Sequence, residues 1–139
     1  MGLDMYLYTK EDFEKPSAKE SCYWRKVNWL HRYFTEVATN ADEVENDNLT
    51  PFYIRREDLK LLITHCAEIL SLYVFPIEDD REPTWQEAAE TSLPTQSGFF
   101  FGDTGYNKWY LEDLVHTMDK VAQVLADYPD EEFVYMAWY

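Results

Sequence analysis

Three segments of the chain repeat apolar residues at the spacing of one helical face, and this pattern constrains the fold most. They lie near residues 20–39, 56–74 and 106–126. A stripe of this kind must be buried against a second layer, so each segment is predicted to be an amphipathic helix. The residues predicted to point inward are Tyr23, Val27, Leu30, Phe34 and Val37 in the first helix, Leu59, Leu62, Ile63, Cys66, Ile69, Leu70 and Tyr73 in the second, and Leu111, Leu114, Val115, Met118, Val121, Ala122 and Leu125 in the third.

Short apolar segments supply the strands. Residues 3–9 are aromatic and partly alternating, which predicts a strand, and a last strand is predicted over 133–138. Pro51 cannot donate to a sheet ladder, so 51–54 is predicted to be an edge strand. The polar stretch that contains Pro16 is predicted to be a loop.

The region from 77 to 97 is predicted to be mostly loop, with a short helix that begins after a Thr84 cap. The apolar run 99–101 follows as a buried strand or an extended segment. The chain has no internal repeat and no regular alternation of strand and helix. The prediction is therefore one globular domain over 1–139, of the α+β class, with three main helices packed on a small, mostly antiparallel sheet of three to four short strands.

Charge narrows the choice of partners. The sequence has 12 Lys and Arg against 27 Asp and Glu, a formal net charge of -15. A field of this sign repels phosphates, so direct binding to nucleic acid or to a membrane is not expected, whereas basic partners are attracted. A purely solvated acidic surface is the alternative. Aromatic residues make up 17% of the chain, and rings that remain near the surface favour contacts with proteins or ligands.

The cysteines and the N-terminal sequence predict a location. Cys22 and Cys66 each fall in a predicted helix, beside or on its apolar stripe, where a free thiol acts as a small hydrophobe. A disulfide framework is not expected, and the cytoplasm is the predicted compartment. The start MGLDMYLYTK lacks the layout of a signal peptide, and no apolar run approaches the ~20 residues that span a bilayer.

No catalytic or metal motif is specific enough to predict an enzyme or a cofactor. Asp103, Thr104 and Gly105 form the tripeptide of aspartic proteases, but one copy in a helical chain is explained equally by a turn or by the cap of the third helix. The histidines His31, His65 and His116 fall on three different predicted helices without a ligand pattern.

Two short segments hold half of the basic residues. On the first predicted helix Trp24, Asn28, His31 and Thr35 form a stripe beside the apolar one. The six basic residues are Arg25, Lys26, Arg32, Arg55, Arg56 and Lys60. If the two segments meet, their arginine forks bind a phosphate or carboxylate. The alternative is that these cations neutralise nearby acids and lie over the core.

A polar loop flanks the apolar run 99–101. Thr95, Gln96, Ser97 and Thr104 offer hydrogen-bond donors and acceptors there, and a polar loop against rings suits the wall of a small-molecule site. A turn that satisfies its own backbone explains the same residues.

The segments MGLDMYL, YWRKVNWLHRYF and LPTQSGFFFGDTGYNKWYLEDL carry a resemblance. The chain resembles a group of small acidic proteins encoded by bacteriophages, prophages and gut bacteria, over most of its length apart from 40–50 and 76–92. That family has no established activity, so the resemblance implies a context and no chemistry. Arg55 and Arg56 depart from the Ser or Thr expected before the second helix. The motif positions that correspond are Trp24, Arg25, Lys26, Asn28, His31, 94–102, Thr104 and Tyr106.

Two functional hypotheses follow. The first is a non-enzymatic interaction protein of phage or mobile-element origin, a monomer or homodimer, that binds and inhibits a host protein. In its sharper version it mimics nucleic acid with the acids at 42–47, 78–82 and 127–132. The second is a binder of a small anionic ligand, such as a phosphorylated metabolite or nucleotide signal. It requires Arg25, His31 and Gln96 to line one pocket, with Trp24, Lys26, Asn28, Thr95, Ser97, Thr104 and Tyr106 as further candidate ligand-binding residues.

Overall fold

A computed structural model describes residues 2–76, 78, 83–98 and 101–139. The strands and helices follow one another without a repeating unit, and a 3-10 turn at Ala41–Glu43 precedes the third strand. In chain order they are β1 (Asp4–Thr9), α1 (Lys10–Phe13), β2 (Cys22–Arg25), α2 (Asn28–Val37), β3 (Phe52–Ile54), α3 (Arg56–Val74), α4 (Trp85–Ser92), α5 (Lys108–Asp127) and β4 (Phe133–Trp138).

The four strands form one sheet in the order β2-β1-β4-β3, and all three pairings are antiparallel. In β1, Met5 pairs with Trp24 of β2 on one side and with Ala137 of β4 on the other. The predicted α+β class is therefore confirmed. The described part of the chain has five α-helices, of which α2, α3, α4 and α5 have at least eight residues, where three main helices were predicted.

One face of the sheet packs on the helices α2 and α5. The rings of Trp24 and Tyr135 on this face lie 6.1 Å and 4.6 Å from the ring of Phe34 in α2. Because side chains alternate along a strand, the inward positions form a continuous apolar layer. Its buried members are Met5, Leu7, Cys22, Trp24, Phe52, Ile54, Phe133, Tyr135 and Ala137.

The prediction of a helix over 20–39 is wrong for its first third. Residues Cys22–Arg25 form β2, in which buried and exposed side chains alternate. Lys26 then takes a left-handed conformation with φ 58°, and α2 begins only at Asn28. The error arose because Tyr23 and Val27 are four residues apart, which suits a helix. In the structure Tyr23 points to the opposite face of the sheet and is exposed.

Smaller differences lie at the edges of the helices. The predicted loop after β1 contains α1, whose first turn is capped by the Thr9 hydroxyl accepting from the Asp12 amide at 3.1 Å. Tyr73 and Val115, predicted to point inward, are exposed, and so is Ala122. On α5 the buried positions include Tyr110, Thr117 and Val124 instead, because the helix turns a different edge of its stripe to the core. The Thr84 cap of α4 is confirmed, and it accepts from the Glu87 amide at 3.2 Å.

Helix α3 begins without the expected Ser or Thr cap, and Asp58 compensates. Its carboxylate accepts from the Arg55 backbone amide at 3.0 Å and from the Arg55 guanidinium at 2.9 Å and 3.1 Å. Asp58 is buried, whereas its neighbour Glu57 is exposed. The Glu57 carboxylate lies 3.9 Å from Arg55 Nε, which is too far for a hydrogen bond. A carboxylate in the first turn of a helix also interacts favourably with the helix dipole.

We expect Asp58→Ala to lower the free energy of unfolding by about 1–3 kcal/mol, because it removes the cap and leaves the Arg55 guanidinium without its buried partner. Urea denaturation followed by circular dichroism measures this change. The matched control Glu57→Ala removes an exposed carboxylate from the same turn and should change the value by less than ~0.5 kcal/mol. Equal losses in both variants would contradict the assigned role of Asp58.

Candidate functional site

The candidate residues predicted on the first helix are divided between a strand and a helix. Trp24 lies in β2 and belongs to the core. Arg25 is exposed, with its Nε 3.8 Å from the Asp4 carboxylate. Lys26 packs against Gly102. A Cβ added to Gly102 would lie 3.3 Å from the Lys26 carbonyl oxygen, and the φ angle of Gly102 is 93°. Only a residue without a side chain accommodates both conditions.

Asn28 ties this helix to the loop that follows α4. Its side-chain amide donates to the carbonyl oxygens of Phe101 at 3.3 Å and Asp103 at 2.8 Å, and its carbonyl oxygen accepts from the Gln96 amide at 3.0 Å. Asn28 is only 2% exposed. The side chain therefore satisfies backbone groups that burial would otherwise leave unpaired.

The loop itself is held by its own polar residues. The Thr95 amide donates to the Tyr106 hydroxyl at 3.2 Å, and the Thr95 hydroxyl donates to the Thr104 carbonyl at 2.9 Å. Arg32 donates to the Thr95 carbonyl at 3.2 Å, while Ser97 is exposed. These contacts favour the structural alternative, a turn that satisfies its own backbone. Phe101 is buried outside any strand, and residues 99–100 lie outside the described part of the chain.

His31 is a core residue with both ring nitrogens engaged. Its Nδ1 lies 2.7 Å from the Tyr135 hydroxyl and its Nε2 lies 3.0 Å from the Asp47 carboxylate, which also accepts from the Tyr139 hydroxyl. The His31 side chain is 0% exposed. Arg25, by contrast, lines a surface groove. The prediction that Arg25, His31 and Gln96 line one pocket is therefore wrong, because burial removes His31 from every surface.

The two basic segments do not bring Arg25 and Arg55 together, although Tyr33 of α2 donates to the Asp58 carbonyl of α3 at 2.6 Å. Arg25 belongs to β2 and Arg55 follows β3, and these strands are the opposite edges of the sheet. Arg55 is held by Asp58. Arg56 donates to the carbonyl oxygens of Leu125, Tyr128 and Glu131, where it closes the C-terminal end of α5. The predicted shared anion site is absent from this arrangement, and the neighbouring acids and carbonyls account for both arginines.

A groove of about 290 Å³ lies between β2 and the start of α5. It contains three of the predicted residues, Arg25, Lys26 and Asn28. Their two positive charges face three carboxylates, and the rings of Trp29 and Trp109 supply apolar walls. The groove therefore does not favour an anion. Its carboxylates are Asp103, Glu112 and Asp113.

The Asp-Thr-Gly tripeptide forms a turn beside this groove. The Asp103 carboxylate accepts from the Gly105 amide at 2.7 Å and from the Asn107 side chain at 2.7 Å, and these bonds lower the Asp103 pKa. Asn107 in turn caps α5 by accepting from the amides of Trp109 and Tyr110. The structure thus explains the motif by local hydrogen bonding. Among the described residues there is no group of three or more side chains placed to hold a metal ion.

Burial raises the pKa of Asp113 in this groove from 3.8 to about 6, although His116 and Lys120 oppose the shift. An acid whose pKa is raised on folding binds more protons in the folded state between these two values. The folded state is therefore destabilised as the pH rises from about 4 to 6, and the penalty persists at higher pH.

We expect Asp113→Asn to remove this penalty. The variant should unfold with the same free energy as the wild type near pH 4 and should be more stable by about 1–2 kcal/mol at pH 7.5. Urea denaturation at both pH values measures the difference, and Asp119→Asn on the exposed surface of the same helix is the control. A stability difference that does not change with pH would contradict the assignment.

One face of the sheet, which the described residues cover only in part, was not predicted from the sequence. We define the open sheet face as Asp4, Tyr6, Tyr23, Arg25, Tyr53, Met136 and Trp138. The register places Arg25, Asp4 and Trp138 in one row across β2, β1 and β4. Tyr23, Tyr6 and Met136 form the next row. The third row, Tyr8 and Val134, is buried and continues to Tyr53 on β3.

Helix α1 covers only one end of that surface. Its Phe13 ring lies 5.3 Å from the ring of Tyr8, and the line of rings continues through Tyr6, at 6.4 Å, to Tyr23, at a further 5.4 Å. The rings of Tyr23 and Trp138, away from α1, and of Tyr53, across the cavity from it, are exposed. Successive rings in contact form a platform with apolar faces and polar edges.

The electrostatic field on this platform is negative. The Tyr23 hydroxyl donates to the Asp4 carboxylate at 2.5 Å, and this bond is the main cause that raises the Tyr23 pKa to about 12. Partial burial raises the pKa of Tyr6 and of Tyr8, and the negative charge of Glu20 adds to both shifts. A surface of this sign favours cations.

A cavity of about 450 Å³ borders the platform at its α1 end. Its apolar walls come from both the sheet and α1. Two cations and two carboxylates also line the cavity, so their charges cancel: Lys10, Arg55, Glu14 and Glu132. Such a cavity is large enough for one bulky side chain of a bound protein. The apolar residues that line it are Phe13, Tyr53, Ile54, Phe133 and Val134.

A sequence signal for this face existed. Within β1 and β4 aromatic or large apolar residues occupy both alternating positions, as in Tyr6 and Leu7 or Tyr135 and Met136. A strand with large apolar side chains on both faces must be covered on both sides or leave one side for a partner. Because residues 20–39 are predicted to form one helix, the sequence predicts neither β2 nor the outward position of Tyr23.

Comparison of this chain with known protein families, with curated proteins and with solved structures found no match. The resemblance to a phage and prophage family stays a prediction. Within the described ranges, every helix is too short or too polar to cross a membrane.

Proposed function

We propose that the protein is a non-enzymatic interaction protein that binds a partner protein with a basic surface through the open sheet face. The observation that carries the proposal is the row of contacting rings beside a carboxylate on a sheet face that α1 covers at one end only. Tyrosine and tryptophan are enriched at protein interfaces, where they contribute a large part of the binding energy.

Charge favours a basic protein over other occupants. Two copies of this chain would each bring a charge of -15 to a shared interface, and nucleic acid would bring phosphates to Asp4 and Glu20. Both combinations are opposed by repulsion, whereas a basic protein gains attraction at long range and during the final contact. A homodimer through this face is thus an outcome that the experiment below must exclude.

The identity of the partner follows from the resemblance and from chemistry. An origin in a phage or mobile element makes a host protein the partner, and occupation of its basic surface would inhibit it. The buried thiols of Cys22 and Cys66, whose pKa values burial raises to about 12, suit the reducing cytoplasm in which we place the interaction.

Nucleic-acid mimicry by the three acidic segments is less well supported than binding through the rings. Of the acids at 42–47, Asp47 contacts Tyr139 after the end of β4, whereas the acids at 127–132 precede the start of that strand. A six-residue strand about 20 Å long therefore lies between Asp47 and the second group. Within 78–82 only Glu78 is described, so that segment adds little to the comparison.

The alternative function, binding of a phosphorylated metabolite or nucleotide signal, loses its geometric basis. His31 is buried, Arg25 and Arg55 lie at opposite edges of the sheet, and carboxylates outnumber cations in the Arg25 groove. That groove nevertheless supplies a useful control surface, because Trp109 on its wall is 57% exposed, the same fraction as Trp138 on the open sheet face.

We expect Trp138→Ser to weaken binding to the partner at least tenfold, because it removes the most exposed ring of the open sheet face, while Trp109→Ser changes the affinity less than twofold. Proteins retained from a host extract by the wild-type chain are identified by mass spectrometry. The candidate partner is then purified, and its Kd is measured by calorimetry for each variant.

Tyr53→Ser provides a second test at the β3 edge and should also weaken binding. Higher ionic strength should lower the affinity for a basic partner. Binding that is lost in Trp109→Ser and kept in Trp138→Ser would move the function to the groove. Sedimentation that shows a dimer broken by Trp138→Ser would assign the face to self-association and contradict the proposal.

A further inference from the structure

Asp4, in the first row of the open sheet face, has one carboxylate oxygen without a hydrogen-bond partner among the described residues. Its Oδ1 accepts from the Tyr23 hydroxyl at 2.5 Å and lies 3.8 Å from Arg25 Nε. Its Oδ2 has no polar partner among the described residues, and the side chain is 27% exposed. A carboxylate normally accepts several hydrogen bonds, so this oxygen can accept a further donor from outside the chain.

The surroundings of this oxygen suit a planar cation. Trp138 is the direct neighbour of Asp4 on β4, and Tyr6 follows on the same face of β1 beside Tyr23. Ring faces attract cations. Where a ring lies next to a carboxylate, a guanidinium can stack its flat surface on the ring and donate hydrogen bonds to the carboxylate. Arginine stacks on rings and is less strongly hydrated than lysine, so it fits this combination better.

Resting on the function proposed above, we propose that the open sheet face recognises an arginine side chain of the partner, which stacks on the rings of Tyr6 and Trp138 and donates to Asp4 Oδ2. Glu20 adds a second negative charge near the ring of Tyr6. The partner's arginine therefore binds Asp4 beside one competing cation, Arg25.

Substitutions of Arg25 and of Asp4 should change the affinity for an external arginine in opposite directions. The contact of Arg25 with Asp4 is at 3.8 Å, near the limit of an ion pair, and the Arg25 side chain is more than half exposed. Such a pair contributes little to stability, so the cation is displaced at small cost. Removal of Arg25 should therefore strengthen the binding of an external arginine, whereas neutralisation of Asp4 should weaken it.

The probes are the peptides acetyl-Gly-Arg-Gly-amide and acetyl-Gly-citrulline-Gly-amide, which have nearly the same shape and differ in charge. Titrations followed by NMR at low salt measure the Kd for the wild type, Asp4→Asn, Arg25→Gln and the control Glu68→Gln on the exposed surface of α3. We expect the arginine peptide to shift the signals of Tyr6, Tyr23 and Trp138 and to bind at least fivefold more tightly than the citrulline peptide.

Asp4→Asn should weaken binding of the arginine peptide at least fivefold, Arg25→Gln should strengthen it about two- to fivefold, and Glu68→Gln should leave it unchanged. Equal affinity for both peptides, or shifts spread over the acidic surface, would overturn the arginine assignment. So would an Arg25→Gln variant that binds the arginine peptide no more tightly. These results leave the proposed function standing if Trp138→Ser still weakens binding to the partner protein, so the two failures are distinguishable.

Discussion

The structure depends on a four-stranded sheet that packs on the helices α2 and α5 through one of its faces. Side chains alternate along each strand, so a two-layer arrangement buries every second residue and leaves the others to solvent or to a short covering element. In this chain the covering element is α1, which reaches Tyr8. Tyr23, Tyr53 and Trp138 remain exposed, although they are as large as the rings of the core. Large apolar side chains kept in contact with water are a common mark of a binding surface.

The remaining polar residues hold this arrangement in place. Asn28 satisfies backbone groups of the loop after α4, Arg56 closes the end of α5, and His31 joins α2 to β4 and to Asp47. Burial makes the bonds of Asn28 and His31 necessary, because an unpaired buried polar group costs about 1–3 kcal/mol. The chemistry that made these residues candidates for a ligand site is therefore used within the fold, and the exposed rings form the surface that we propose for recognition.

Local patterns predicted the parts of the fold that local forces determine. The helix α3 and the strands β1 and β4 lie where periodicity and alternation placed them, since one face of each is buried continuously. Residues 20–39 show the limit of that reasoning. The apolar spacing from Tyr23 to Val27 suits a helix, but pairing of Cys22–Arg25 with β1 and the left-handed turn at Lys26 place Tyr23 on the outer face. The open sheet face arises from contacts between distant strands, so no local window contains it.

The central claim is that the partner covers the open sheet face, and hydroxyl-radical footprinting tests it most directly. The protein is oxidised in buffer and in complex with its partner, and the modification of Met136, Trp138 and Trp109 is measured by mass spectrometry. The account predicts that oxidation of Met136 and Trp138 falls several-fold in the complex while that of Trp109, equally exposed at 57%, stays unchanged. Protection of Trp109 with Met136 and Trp138 still fully reactive would contradict it.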